Sequence, residues 1–227
     1  MRPVSDVQRR AQRMMADHGF LGVPVETFEQ AGREQLIALL RDGLCPESRV
    51  VEIGCGCLRV AYWLVRFLEP GGYCGIEPAR ARVEYGMKYL FTADEIARKR
   101  PRFDDNARFD TSVFGTRFDY FVARSIWTHA SKAQIQASLD AFGRDAAEAG
   151  VLLASYLPAR TAEEDYQGAS WVGTSHESDV AGVIRHRLGW IVEQCERRSL
   201  QIEEVGGVDC DSQYWLRVRR RVGDERL

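Results

Sequence analysis

At 227 residues and 45% hydrophobic content, the chain is long enough for one α/β domain with a full core. A formal charge of −2 gives no general attraction to nucleic acid or an anionic membrane, and no apolar stretch is long enough to span a bilayer. The polar N-terminus lacks an apolar signal core, and the six cysteines form no C-x-x-C pair, so a reduced, cytoplasmic protein without a metal site is expected.

Ser5-x-x-Gln8 reads as a capping box opening a first helix that stops near Gly19, with Met14-Met15 and the following Phe20 placed to lie over something. Gly22-Val23-Pro24 breaks the chain. Thr27-x-x-Gln30 opens a second helix, apolar at Phe28, Ala31, Leu36, Leu39 and Leu40 and stopped by Gly43. Residues 1–45 therefore read as a helical cap on a domain over 46–227. The β-branched Val50, Val51 and Ile53 predict a buried parallel strand over 49–53. A helix over 58–68, closed by Pro70-Gly71-Gly72, leads to a second strand over 73–77 and a helix over 79–97. A third strand is expected near 102–107 and a fourth over 118–123. Ser131-x-x-Gln134 caps the next helix, with Ile135, Leu139 and Phe142 inward, before a fifth strand over 151–156. A loop over 157–178 then leads to a helix ending near Arg197.

The last two strands, over 200–205 and 214–218, leave only 206–213 between them. A parallel crossover needs a dozen or more residues, so this pair is antiparallel. The expected fold is α/β: a Rossmann-like, mostly parallel seven-stranded sheet with an antiparallel C-terminal hairpin and N-terminal helices.

The turn after the first strand carries the chemistry. Gly54 and Gly56 let the backbone turn tightly and approach a ligand. Glu77 ends the second strand ~20 residues on, where a nucleotide-binding unit places a carboxylate on a ribose diol. A pyrophosphate would sit over G-x-G-x-x-G, but Arg59 holds the third glycine position and Glu52 adds negative charge beside the loop. S-adenosylmethionine has no phosphate and carries an ammonium and a positive sulfur, so that acid helps.

Glu52-Ile53-Gly54-Cys55-Gly56, Glu77 and the fourth strand Phe118 to Ser125 with Thr128-His129 resemble the class I S-adenosylmethionine-dependent methyltransferases. The resemblance runs from about Glu26 to the C-terminus and departs at Cys57, where the family often has a further glycine. It implies a cofactor site of Glu52, Gly54, Cys55, Gly56, Arg59, Glu77, Pro78, Asn106, Ala107, Arg124 and Ser125. Glu77 takes the ribose hydroxyls or else caps the next helix, and Pro78 fits that helix's first turn. Asn106-Ala107 read the adenine, with Asp104, Asp105 and Asp110 as rivals. Backbone carbonyl oxygen at Arg124-Ser125 holds the polarised methyl group. Arg59 and Arg124 meet the methionine carboxylate or an acidic substrate, or are surface charges.

His129 is the candidate general base, against a role capping the following helix. The 157–178 loop carries Tyr166, Trp171 and His176, which read as the wall of an acceptor pocket, and Tyr166 or His176 is an alternative base. No Asn-Pro-Pro-aromatic run is present, which disfavours DNA bases as acceptors. The expected function is methylation of an oxygen or nitrogen on a small molecule, with no nucleic-acid or membrane partner. The alternatives are a nicotinamide-dependent oxidoreductase and a non-catalytic S-adenosylmethionine-binding protein. The oligomeric state is open.

Overall fold

A computed structural model describes residues 4–19, 24–175, 177–206 and 211–221. The earlier readings at Phe20, Gly22-Val23 and His176 lie outside the described residues. The strands β1 (Val50–Ile53), β2 (Tyr73–Ile76), β3 (Arg102–Asp104), β4 (Phe118–Ala123), β5 (Ala146–Tyr156), β6 (Leu200–Val205) and β7 (Tyr214–Arg220) form one seven-stranded sheet in the order β3-β2-β1-β4-β5-β7-β6. The chain divides into two compact units, Met1–Ala107 and Arg108–Leu227.

In the first unit, helix α1 (Asp6–His18) starts on Ser5, whose Oγ accepts from Gln8 N, and ends on Gly19 at φ 79°. The expected capping box is half formed. The Gln8 side chain instead donates to the Val25 carbonyl and accepts from Glu29 N at 3.2 Å, tying α1 to the next helix. Helix α2 (Phe28–Arg41) buries Phe28, Ala31, Gly32, Gln35 and Leu39 and stops before Gly43 at φ 95°. Leu40, expected inside, is exposed: it lies next to Leu39 and is turned out of a stripe spaced by three and four residues. Thr27 does not cap α2, because its hydroxyl donates to the Pro24 carbonyl.

Strands β1 (Val50–Ile53) and β2 (Tyr73–Ile76) are wholly buried and pair in parallel, and β3 (Arg102–Asp104) adds to β2. Helix α3 (Ala61–Phe67) begins later than the expected 58 because Leu58 is left-handed at φ 63°. The expected helix over 79–97 is two: α4 (Arg80–Leu90) and α5 (Ala93–Lys99). Phe91 and Thr92 are extended, and Thr92-x-x-Glu95 forms a complete capping box that restarts the helix. Lys99 donates to the Arg66 and Leu68 carbonyls at the end of α3.

In the second unit, β4 (Phe118–Ala123) lies where expected. Helix α6 (Lys132–Asp145) carries the full Ser131–Gln134 capping box. Strand β5 (Ala146–Tyr156) starts before 151, with its pairing to β4 broken between Phe118 and Tyr120. Phe118, Phe121 and Phe142 stack edge to face in this core. Helix α7 (Leu188–Glu196) begins well after the expected 178. The residues before it bond elsewhere: His186 N donates to the Leu157 carbonyl and Ala159 N to the His186 carbonyl. Strands β6 (Leu200–Val205) and β7 (Tyr214–Arg220) pair antiparallel, and β7 pairs antiparallel with β5. No helix among the described residues is long and apolar enough to cross a membrane.

Candidate functional site

In the first unit the turn after β1 is built by backbone. Gly54 N and Cys55 N both donate to the Ile76 carbonyl, at 2.8 and 3.0 Å. Gly54 and Gly56 have φ of 72° and 50°, values that favour glycine. A Cβ at Gly56 would meet nothing within 4 Å, so the loop faces open space there.

Glu77 is buried, and both its oxygens are oriented by backbone N–H groups. Oε2 accepts from Gly56 at 3.0 Å and Oε1 from Ala79 at 2.9 Å. Each oxygen keeps acceptor capacity for a ribose hydroxyl. The N-cap of α4 is Ala79, not Glu77, and Pro78 precedes the helix instead of occupying its first turn. Asp104 accepts from Asn106 through both N (2.9 Å) and Nδ2 (2.6 Å), and its carbonyl accepts from Glu77 N. Glu77, Asp104 and Asn106 therefore stand together, with Ala107 exposed beyond them. Of the rivals to Asn106, Asp110 caps the Thr111–Phe114 turn and pairs with Arg144.

Glu52 is buried and accepts from the Tyr73 hydroxyl at 2.5 Å. Burial pushes its carboxyl up to about 8; the Tyr73 bond and Arg59 pull it down, while Glu77 raises it. Burial thus works against the fixed negative charge expected beside the loop. Arg59 is half-buried in the turn before α3. Cys55 and Cys57 are buried thiols, and burial pushes Cys57 up to about 12, so neither is a ready nucleophile. Sequence reasoning missed Gly86 on α4, where a Cβ would stand 2.7 Å from the Cys57 carbonyl oxygen and 2.6 Å from Leu58 Cγ. The helix packs directly on the glycine loop.

In the second unit, Arg124 is buried, ion-paired with Asp211 at 2.6 Å, and is not a surface charge. Ser125 is left-handed at φ 62° and held by a ring of bonds. Its N–H donates to Ser155 Oγ at 2.7 Å, Ser155 Oγ donates to Gln213 Oε1 at 2.6 Å, and Gln213 Nε2 returns to Ser125 Oγ at 2.6 Å. Ser155 and Gln213 were not singled out, since nothing in their local sequence reveals a bond spanning three chain segments. The Ser125 carbonyl accepts from Thr128 Oγ1 at 3.1 Å.

His129 does not cap α6; Ser131 does. The His129 ring stacks on Trp171, with centroids 5.4 Å apart, and its Nδ1 lies 2.7 Å from the Val172 carbonyl. A carbonyl only accepts, so Nδ1 carries the proton and Nε2 is the basic nitrogen. Three successive carbonyls of this turn are taken by the long connection: Thr128 by Ile184 N (2.8 Å), His129 by Val172 N (2.9 Å), and Ala130 by His186 Nε2 (3.0 Å). The connection is thereby strapped onto the turn after β4.

Tyr166 lines a groove of about 470 Å³ with residues 162–167 and 183–185. Its hydroxyl donates to the Ser170 carbonyl at 2.9 Å. Trp171 does not line that groove; it covers His129. His186 was also missed: it is fully buried, and burial lowers its pKa.

No family model matches the sequence, and no curated protein matches it. Solved structures do. A magnesium protoporphyrin IX methyltransferase from Synechocystis PCC 6803 with bound S-adenosylhomocysteine is 16% identical, with TM-score 0.62, over 96% of this chain and 95% of that one. A glycopeptide N-methyltransferase bound to S-adenosylmethionine is 14% identical, with TM-score 0.61, over 83% and 94%. An O-methyltransferase family protein from Burkholderia thailandensis is 13% identical, with TM-score 0.61, over 97% of this chain and 64% of that one. At these identities the likeness is one of fold, and the fold is that of the class I methyltransferases.

Proposed function

Taking that fold as the premise, we propose that the chain is an S-adenosylmethionine-dependent methyltransferase acting on an oxygen or nitrogen of a small molecule in the cytoplasm. One observation carries the reading most: the buried Glu77 carboxylate, aimed by the Gly56 and Ala79 N–H groups, is suited to a ribose diol. Gly54, Cys55 and Gly56 supply the close backbone approach, Asn106 and Ala107 the adenine contact, and Glu52 and Arg59 the groups for the amino-acid end. Bound there, the cofactor supplies an electrophilic methyl group. Arg124 and Ser125 would offer backbone oxygen to that methyl group, and Ser155 and Gln213 fix the backbone at Ser125. His129 Nε2 takes the proton that leaves the acceptor, in a turn held by the strap. Tyr166 and Trp171 belong to the acceptor side, and with His176 they make up its proposed wall.

The test is thermal denaturation with S-adenosylhomocysteine and with NAD. At ~100 times its dissociation constant, the first adds about 2.7 kcal/mol, a shift of several degrees. A shift with NAD alone would end the methyltransferase reading and favour a nicotinamide enzyme. Binding with no turnover across a metabolite panel would favour a non-catalytic binding protein.

A further inference from the structure

Glu52 has a neutral hydrogen-bond partner, and the cation beside it, Arg59, acts on it without an ion pair. It is buried, its one side-chain hydrogen bond comes from the Tyr73 hydroxyl at 2.5 Å, and it makes no ion pair among the described residues. Tyr73 opens β2 opposite Val50 and reaches along the parallel pair to Glu52, which stands opposite Gly75. A buried carboxylate with a single neutral donor is costly, and Arg59 offsets less of that cost than burial adds, so such a group keeps its proton until a closer cation arrives.

We propose that Tyr73 and Glu52 form a proton-exchange subsite: the pair holds a neutral carboxyl in the ligand-free protein and releases that proton when it binds the ammonium of an amino-acid-bearing ligand. The carboxyl O–H bond breaks, its electron pair stays on Glu52, and the proton passes to solvent. This rests on the proposed cofactor reading and assigns Tyr73 a positioning role within it. The groups facing Glu52 fit the exchange. Arg59 and Cys55 come from the turn after β1, and Tyr73 and Glu77 from the two ends of β2. Burial raises the Cys55 thiol and the Tyr73 phenol well above their usual values, so neither competes as the acid that ionises. Glu52 itself sits at about 8, within reach of a bound cation's field.

The experiment is calorimetric titration of the whole protein with S-adenosylhomocysteine at about pH 6.5, in two buffers of different ionisation enthalpy. The ligand keeps its ammonium at this pH, so the difference between wild type and Glu52→Gln isolates the carboxyl. Wild type should release up to one proton per ligand and Glu52→Gln none, and wild-type affinity should fall by up to tenfold per pH unit below about 8. Tyr73→Phe removes a donor that favours ionisation, so its affinity should level off at a higher pH than wild type while proton release persists. Equal proton release by wild type and Glu52→Gln overturns the exchange. If Glu52→Gln fails to bind, an unshifted pH profile for Tyr73→Phe overturns it instead. Absence of any wild-type binding overturns the cofactor reading as well, which separates the two failures.

Discussion

His129 and Val172 hold each other twice. The His129 ring donates through Nδ1 to the Val172 carbonyl at 2.7 Å, and the Val172 N–H donates to the His129 carbonyl at 2.9 Å. Side chain and main chain thus close one small ring between the turn after β4 and the long connection before α7. The imidazole has its orientation and tautomer set by a segment far away in sequence, as a base requires.

His129→Ala removes the ring bond and the stack on Trp171 while leaving the backbone bond. Turnover should fall by about 10²–10⁴, the usual worth of a positioned base. Stability should fall by about 1 kcal/mol for the lost neutral hydrogen bond. Affinity for S-adenosylhomocysteine should stay near wild type. These are read on one preparation from methyl transfer to an acceptor found by panel screening, a melting curve and calorimetry. Near-normal turnover would end the base assignment.

Glu77→Gln keeps the shape of the side chain but removes the charge and turns one of its two acceptor oxygens into an NH2 donor. If those oxygens take the ribose hydroxyls, affinity for S-adenosylhomocysteine should drop by roughly one to two orders of magnitude, since charge-assisted bonds are worth about 1.5–3 kcal/mol each before water compensates. The amide oxygen can still accept from one of the Gly56 and Ala79 N–H groups, while the other then faces the amide NH2 and loses its acceptor. Leaving one N–H without its acceptor costs about 1–3 kcal/mol, so the melting temperature should also fall by several degrees, with the protein still folded. Unchanged affinity by calorimetry would move the ribose contact to another residue.

Much of the fold was legible because it is written in local patterns. The fourth strand is where the run Phe118 to Ala123 puts it, and the Ser131–Gln134 box opens α6. The short gap before Tyr214 signalled the antiparallel hairpin. The break between α4 and α5 is also written locally, as Thr92-x-x-Glu95, inside the stretch expected to be one helix. What was not legible depends on distant partners. Gln8 leaves its box for Val25, Ser125 is held by Gln213, and His186 seats on Ala130. No spacing rule encodes which carbonyl a loop histidine reaches. The upward shift of Glu52 likewise follows from burial, which only the assembled sheet creates.

His186 gives the strap a pH dependence of defined sign. It is fully buried, and its pKa is lowered, chiefly by burial. The unfolded chain therefore takes up a proton at a pH where the folded chain does not. The stability tied to this is present above about pH 6.5 and is lost as pH falls, by up to about 1.4 kcal/mol per pH unit for one proton. Melting curves of wild type and His186→Gln at pH 7.5 and 5.5 should show the larger drop in wild type. Equal drops would mean that His186 is already charged in the folded protein.

Gly86→Ala sets two effects against each other. Helix propensity alone favours alanine by about 1 kcal/mol in the interior of α4. The added Cβ, however, would stand 2.6 Å from Leu58 Cγ and 2.7 Å from the Cys57 carbonyl oxygen. Leu58 is buried and left-handed, and the oxygen is backbone, so neither yields cheaply. Overpacking of this kind costs about 1–3 kcal/mol and should win. Because the clash falls on the glycine loop, affinity for S-adenosylhomocysteine should weaken along with the melting temperature. Gly143 in α6 provides the internal control: a Cβ there meets nothing within 4 Å, so Gly143→Ala should raise the melting temperature and leave affinity unchanged. If Gly86→Ala instead matched Gly143→Ala in both readouts, the close packing of α4 on the loop would be wrong.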